Sequence, residues 1–513
     1  MMLLPQVKRK ADAIARTPRM PFPIKGWHIR GPITGMGPDE ALRVHNAIVY
    51  QDGIRPRHGY VTTASGLGAG VYTLMEWAAE GAAPKLLAAT PTAIYDVTTR
   101  GVESPAAMVS GQHSGRWSVA TLSNIGNTFL WAANDHASDV PIVYDGTSWV
   151  AADVQNCDAG KLYPCCSHQS RIFAIEKGTL KLWYLETHAL DGPAYMIDLA
   201  PACQKGGEAI AIASLPRSGG RSRADQLVVV TSKNEVLVWS GTDPDNAATW
   251  EEAGVYAIPE VVGGARCFTV FGPQLLVSTC VGVLPLTSIL ATPAASESTG
   301  ALSEPIYDAI VSAADQISGE TGWQIIEGVD DSVLLVNVPL PSGTRQFVRY
   351  ERTGAWCSWG IPATCWGRVG GALYFGTDDG KVKAYGAGVY DDDGEAIESE
   401  IIHSYQGHGA WKNYTRARPW LMGPNHWRPR VKVITDYQPL APSYPANNVA
   451  TLSHEWDGLT WEQWNWEHAP AERFSWRGVR GAGVAGALII SCKATAPWNY
   501  RGADIEYFVG GHP

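Results

Sequence analysis

The sequence predicts an all-β protein: a β-propeller of about six to eight blades, with a proline-rich N-terminal arm before it and a β-sandwich-like domain after it. Three observations carry this reading. First, a strand-pair pattern returns from about residue 86 to residue 386: an apolar, β-branched run, a short polar turn, then a second apolar run ending on Tyr or Trp. Its clearest copies are Leu86–Asp96, Phe129–Trp149, Arg171–Tyr184 and Gln226–Trp239, followed by Gln274–Leu286, Ser332–Trp359 and Ala372–Tyr385. Successive starts lie 43, 42, 55, 48, 58 and 40 residues apart, which is blade spacing. Second, 54 Gly and 33 Pro fit a turn-rich chain, and 21 Trp supply rings to fill the space between sheets. Third, Asp145-Gly146 and Asp379-Gly380 are dipeptides that favour positive φ in a two-residue hairpin. A lone hairpin cannot bury its own apolar face, so each copy must pack on its neighbours.

Residues 1–60 read as a docking arm. Lys8–Arg16 suits a short basic helix, Pro18, Pro21, Pro23, Pro32 and Pro38 enforce an extended path, and Asp39–Tyr50 has the start of a helical turn or two. Such an arm cannot form a core alone and must lie on the propeller or on another subunit. The repeats fill 61–388, interrupted by a flexible loop at Leu215–Ala224 and an insert at Thr292–Pro305, with a short helix expected at Ile306–Ile317. Residues 389–513 form the C-terminal domain, with strands expected at Ile397–Tyr405, Pro429–Tyr437, Ala487–Ala494 and Ile505–Val509. Nine tryptophans lie there; Trp456, Trp464 and Trp466 lie even numbers of residues apart and can share one face of an extended segment.

A net charge of −10 argues against a surface built to grip nucleic acid, which needs clustered Lys and Arg. Nine irregularly spaced cysteines suggest reduced, mostly buried thiols and synthesis in the cytosol. No apolar run reaches membrane-spanning length. The opening MMLLPQVKRK places its charges after the apolar stretch, the wrong order for a signal peptide.

Chemistry-bearing patterns are few. Asp378-Asp379 and Asp391–Glu395 read as hairpin turns rather than Ca²⁺ loops, because the alternating carboxylate register is missing. Gly376–Val382 lacks the spacing and hydroxyl of a phosphate loop. Cys165, Cys166 and His168, with Cys157 and Cys203, read as packed thiols, since adjacent cysteines rarely ligate one metal. The turns Asp145–Trp149 and Asp457–Trp461 approach the Asp-box of sialidase-type propellers but lack its register. Thirteen histidines are spread singly. The sequence therefore assigns no catalytic, cofactor-binding or metal-ligating residue, and no enzymatic activity.

The order of parts resembles the tail hub or nozzle proteins of short-tailed bacteriophages, including the packaged-DNA stabilisation proteins. The resemblance lies in Pro23-Ile24-Lys25-Gly26-Trp27, Ala41–Asn46 and Arg55–Tyr60, in Ala372–Gly380 followed by an acidic turn and Ile397–Tyr405, and in Ala496-Pro497-Trp498 and Ile505–Gly511. It implies a virion structural protein that forms a homo-oligomeric ring, expected to be a hexamer, beneath the portal and adaptor. Such a ring continues the DNA channel, helps retain and then release the packaged genome without sequence-specific contacts, and carries fibre or needle proteins. An acidic chain suits a conduit through which DNA must slide. The candidate interface residues are Trp27, Arg55, Arg57, Trp456 and Trp464, because aromatic and arginine anchors dominate large permanent interfaces. The competing class is a glycan-binding or glycan-degrading propeller on a virion or cell surface, with aromatic platforms and paired carboxylates.

Overall fold

Strand occupies 53% of the chain and helix 6%, as the succession of short apolar runs predicts. The computed structural model describes residues 15–510 apart from 125, 216–224, 247, 273, 292–299, 318–320, 330–331, 387, 408, 424–428, 446–448, 451–470 and 474. The chain divides into two units. One comprises 60–351 and 360–389; the other comprises 1–59, 352–359 and 390–513.

The first unit is the propeller. Six of its sheets stand alone: the parallel pair of Val154–Gln155 with Gly192–Pro193, and five blades. Blade 1 contains Thr73–Trp77, Lys85–Ala89, Ala93–Asp96 and Ala107–Ser110. Blade 2 contains Trp117–Asn124, Asn127–Asn134, Ile142–Tyr144 and Trp149–Ala151. Blade 3 contains Leu162–His168, Arg171–Glu176, Lys181–Tyr184 and Tyr195–Asp198. Blade 4 contains Ala209–Leu215, Gln226–Thr231, Glu235–Gly241 and Trp250–Ala257. Blade 5 has three strands, Phe268–Phe271, Gln274–Thr279 and Gly282–Pro285. Two further antiparallel meanders continue the series. Blade 6 is Gln324–Gly328, Val333–Leu340 and Gly343–Tyr350. Blade 7 is Cys365–Val369, Ala372–Gly376 and Val382–Tyr385, completed by Tyr60–Ser65 from the start of the unit, with Tyr60 opposite Tyr385. The repeat seen in the sequence corresponds to the middle strands of each blade.

Those middle strands are buried on both faces, and alternate residues serve alternate seams. In blade 1, Leu87 and Ala89 join Leu130 and Ala132 of blade 2, whereas Leu86 and Ala88 join Cys365, Val369 and Val382 of blade 7. Trp131 and Ala133 of blade 2 meet Ile172 and Ala174 of blade 3. Phe173 and Ile175 then meet Leu227 and Val229 of blade 4, and Val228 and Val230 meet Leu275 and Val277 of blade 5. The helix expected at Ile306–Ile317 is present as Tyr307–Gln316.

The turn chemistry differs in detail from the sequence reading. At Asp145-Gly146 and Asp379-Gly380 only the glycine takes positive φ. The paired positive-φ turn of a two-residue hairpin occurs instead at Gln169-Ser170, Gly370-Gly371 and Asp393-Gly394, the last joining Asp391–Asp392 to Glu395–His403.

The second unit corrects the reading of 1–60 as a separate arm, for its described residues are strands of a fold shared with the chain's other end. Ala15–Arg16 and Arg19–Pro21 pair with Asn499–Val509, which also pairs with Lys412–Gly423. In a second sheet Ala41–His45 pairs with Glu395–His403, which pairs with Gly486–Ala494. The helical turn expected at Asp39–Tyr50 is replaced by two strands, Ala41–His45 and Ala47–Tyr50, because Asn46 takes φ +49° between them and the β-branched Val44, Ile48 and Val49 are buried. Trp356–Trp359, at the end of one sequence repeat, also belongs here: Ser358 pairs with His45, and Trp356 accepts from the Trp27 N–H at 2.8 Å. Most of the expected basic helix at Lys8–Arg16 lies outside the described residues.

Arg57 shows how this unit is held. It is 1% exposed, forks onto Asp392 at 2.8 and 2.6 Å, and donates to Asn46 Oδ1 at 3.0 Å and to the His58 carbonyl at 2.9 Å. Arg57→Met leaves the Asp392 carboxylate without its counter-ion and should cost about 3 kcal/mol, the scale of a half-broken buried pair. Urea unfolding checks this; an unchanged midpoint would show that the pair is dispensable.

Candidate functional site

The inner strands of the seven blades surround an axial cavity of about 370 Å³, lined by Leu74, Ser118, Cys166, Ser214, Phe268, Gln324 and Trp366 among others. Such a cavity is where a propeller most often presents its chemistry, so its contents decide what this one can do. Its described lining contains no Asp, Glu or His. Its guanidinium, Arg266, is engaged within the wall, donating to the Tyr72 carbonyl at 2.7 Å and to Thr73 Oγ1 at 2.6 Å. Gln324 grips the Trp366 backbone with both ends of its amide, at 2.8 Å each. Ser118 likewise brackets Cys165, donating to its carbonyl at 3.2 Å and accepting from its N–H at 3.1 Å. His168 Nδ1 lies 2.8 Å from Ser214 Oγ, joining blades 3 and 4. Gln324, Ser118 and His168 thus hold neighbouring blades to each other, and Arg266 ties the connection before blade 5 to blade 1.

The thiols are equally structural. Cys165 and Cys166 are successive residues of one strand, so they face opposite seams and join separate clusters. Burial pushes the Cys165 thiol up to about 12 and raises Cys166 as well, which keeps both as protonated, weak nucleophiles. All nine cysteines are free.

The acidic turns are also engaged. Asp145 Oδ1 accepts from the N–H groups of Thr147 and Ser148, at 2.7 Å each, which holds the carboxyl below its usual range. Asp379 pairs with Lys381 at 2.5 Å, and Asp392 with Arg57. The second Asp-Gly-x-x-Trp turn, Asp457–Trp461, lies outside the described residues.

Of the candidate interface residues, Arg57 is internal, which removes it from any contact surface. Arg55 is partly exposed, paired with Asp52 at 2.7 Å and stacked on Tyr50. Trp27 is partly buried, and Trp456 and Trp464 lie outside the described residues. A surface feature of this unit that the sequence reading missed is a ladder on the outward face of Lys412–Gly423. Arg416 forks onto Glu506 at 2.8 Å twice, and Arg418 onto Asp504 at 2.9 and 2.7 Å. Both guanidinium groups lie over Trp476, and Arg19 lies over Trp420 at 3.6 Å. Strand alternation 416/418/420 was its only sequence signal, and the carboxylate partners come from 90 and 86 residues away.

A second missed group is His113, His136 and Asp139, whose ligand atoms lie within 4.8 Å of one another. Read one at a time, these histidines carry no ligand spacing; two connections in different parts of the chain bring them together. No helix among the described residues is long and apolar enough to cross a membrane.

No protein-family model matches the chain, and no curated protein does. Among solved structures it is similar to YCF48 from Cyanidioschyzon merolae, with 11% identity over 64% of this chain and 98% of that one, at a TM-score of 0.38. It is also similar to the Myceliophteria thermophila Cps50 (Swd1) β-propeller domain, with 13% identity over 65% and 99% of the two chains, at 0.38. Saccharomyces cerevisiae Sqt1 follows at 9% identity, 64% and 99% coverage and 0.37. These likenesses concern the propeller fold alone.

The seam histidine gives a test. Burial holds His168 down to about 4 from 6.5, so it is neutral in the fold, while the unfolded chain takes up a proton below about pH 6.5. Its stability contribution is present above that value and is lost as pH falls toward 4, by up to about 3 kcal/mol. His168→Gln keeps a partner for Ser214 and should flatten part of the acid loss in unfolding curves measured from pH 7 to 4. An unchanged slope would place the acid sensitivity elsewhere, with buried His403, also held down to about 4, as the next group to replace.

Proposed function

We propose that this chain is a structural subunit of a short-tailed phage tail, a nozzle or hub protein that repeats in a ring below the portal and adaptor and passes DNA without gripping it. The observation that carries the reading is the exposed apolar edge of the propeller. The outer strand of blade 2, Trp149–Ala151, and that of blade 3, Tyr195–Asp198, each pair on one side only among the described strands. They present Val150 at 63% exposure and Met196 at 47%, with Tyr195 beside it. Open edges with apolar side chains on consecutive blades suit permanent contact with a neighbouring copy.

Two further features support this reading. The net charge of −10 suits a conduit for DNA. The axial groups spend their hydrogen bonds on holding blades together, as a scaffold requires. Because residues 15–21 are strands of the second unit, removal of the N-terminus would damage that unit as well as any docking role. Surface substitutions are therefore the cleaner probe.

Val150→Asp and Met196→Asp should leave the melting temperature within about 1 °C, since exposed changes away from packed contacts shift stability little. Both should abolish ring formation by light scattering and negative-stain imaging, where the unsubstituted protein gives a ring of about six copies. A monomer that cleaves or binds polysaccharide, with neither substitution altering its mass, would instead favour the glycan-directed propeller.

A further inference from the structure

We propose that His113, His136 and Asp139 form a binding site for one borderline divalent transition-metal ion, of the Zn²⁺, Co²⁺ or Ni²⁺ type. This inference is independent of the tail reading above.

His113 lies in the connection from blade 1 to blade 2, between Ala107–Ser110 and Trp117–Asn124. His136 and Asp139 lie in the connection between the second and third strands of blade 2. The two imidazole rings are stacked, 5.0 Å between centroids and 16° from parallel. Nδ1 of His113 is 2.7 Å from Asp139 Oδ1, and the His113 backbone N–H donates to Oδ2 at 2.8 Å. The Asp139 side chain is 4% exposed, whereas that of His113 is 54% exposed, so the carboxylate is held inside and the ring reaches solvent.

Both connections are fixed by their own hydrogen bonds. Asn134 Nδ2 donates to the Ser114 carbonyl at 2.8 Å, and Asn134 Oδ1 accepts from the His136 N–H at 2.9 Å. The Asp135 N–H donates to the Arg116 carbonyl at 3.1 Å, and the Asp139 N–H to the His136 carbonyl at 3.0 Å. Gly160 packs so closely that an added Cβ would lie 2.1 Å from the Ala137 carbonyl oxygen. A set of donors held this firmly loses little entropy when a ligand binds.

Two imidazoles and one carboxylate are the donor set of a three-ligand zinc-type site completed by water. Hard cations such as Ca²⁺ and Mg²⁺ demand six or more oxygens and are poorly served here. A proton lies between His113 Nδ1 and Asp139 Oδ1. A divalent ion that displaces that proton is gripped by both atoms, with His136 closing the third side; tetrahedral bonds near 2.1 Å set ligand atoms about 3.4 Å apart, so the 2.7 Å His113–Asp139 contact opens and the widest separation, up to 4.8 Å, closes by about 1.4 Å. The carboxylate leaves one net positive charge on the site, which suits a bound anion or hydroxide as the outer ligand.

Co²⁺ titration of the full chain tests the site. The expected result is one ion per chain, with d–d absorption of nitrogen and oxygen ligation and no thiolate charge-transfer band. Zn²⁺ should displace the cobalt, and a large excess of Ca²⁺ should not. His136→Gln and His113→Gln, both at exposed side chains, should each weaken Co²⁺ binding at least about ten-fold, the usual scale for loss of a metal-site partner, while circular dichroism stays unchanged in both and the melting temperature in His136→Gln, which leaves the buried Asp139 carboxylate its His113 partner. Binding only above millimolar Co²⁺, a thiolate band, or full affinity in both variants would overturn the proposal.

Discussion

The propeller depends on closing its ring. A series of blades buries both faces of every middle strand only if the last blade meets the first; an open series would leave two apolar faces in water. Here the closure is made by Tyr60–Ser65, which pairs with Val382–Tyr385 and supplies the outer strand of blade 7. Cys365–Val369 and Leu74 then share a core with Leu86 and Ala88 of blade 1. Each buried Leu or Val contributes about 1.5–3 kcal/mol, but only when a neighbouring blade covers it. Stability is therefore distributed around the seams, and no single blade holds it.

The axis follows from the same constraint. Inner strands converge there, and their side chains must satisfy backbone groups that neighbouring sheets leave open. Ser118 and Gln324 each do this across one seam, His168 joins the Ser214 side chain across another, and Arg266 reaches from the connection before blade 5 back to blade 1. Uncharged groups predominate there, as an enclosed charge is costly, and the guanidinium of the described lining, Arg266, donates to wall oxygens. The result is a cavity whose polar atoms are committed to architecture, and whose thiols are kept protonated by burial. The chemistry that stands out lies elsewhere, in connections between strands, where side chains reach solvent from a rigid support.

The second unit obeys a different rule, because its sheets are assembled from distant parts of the chain. Asn499–Val509 pairs with strands beginning at Ala15 and with Lys412–Gly423. A buried Arg57 joins Asn46 to Asp392 across more than 300 residues of sequence. The stacked ladder of Arg19, Trp420, Arg418 and Trp476 arises the same way. Its guanidinium groups reach solvent while the carboxylates of Glu506 and Asp504 are buried beneath them, so each pair is only partly screened.

The sequence by itself determined the all-β class, the propeller repeat and the short helix near 307–316. These are written in local periodicity: a strand buried on both faces must be a continuous apolar run such as Gln226–Thr231, and such runs recur at the length of a blade. It also indicated packed thiols at Cys165 and Cys166, which the structure places in opposite seams of one strand. Only the tertiary structure decided that Asp39–Tyr50 is two strands, that 15–59 folds with the chain's far end, and that Trp356–Trp359 leaves the propeller unit. It alone brought His113 to His136 and Asp139, and Arg57 to Asp392. The physical reason is one of range. Propensity and alternation act over a few residues, whereas these pairings join segments whose partners are chosen by which surfaces remain to be buried once the local elements exist.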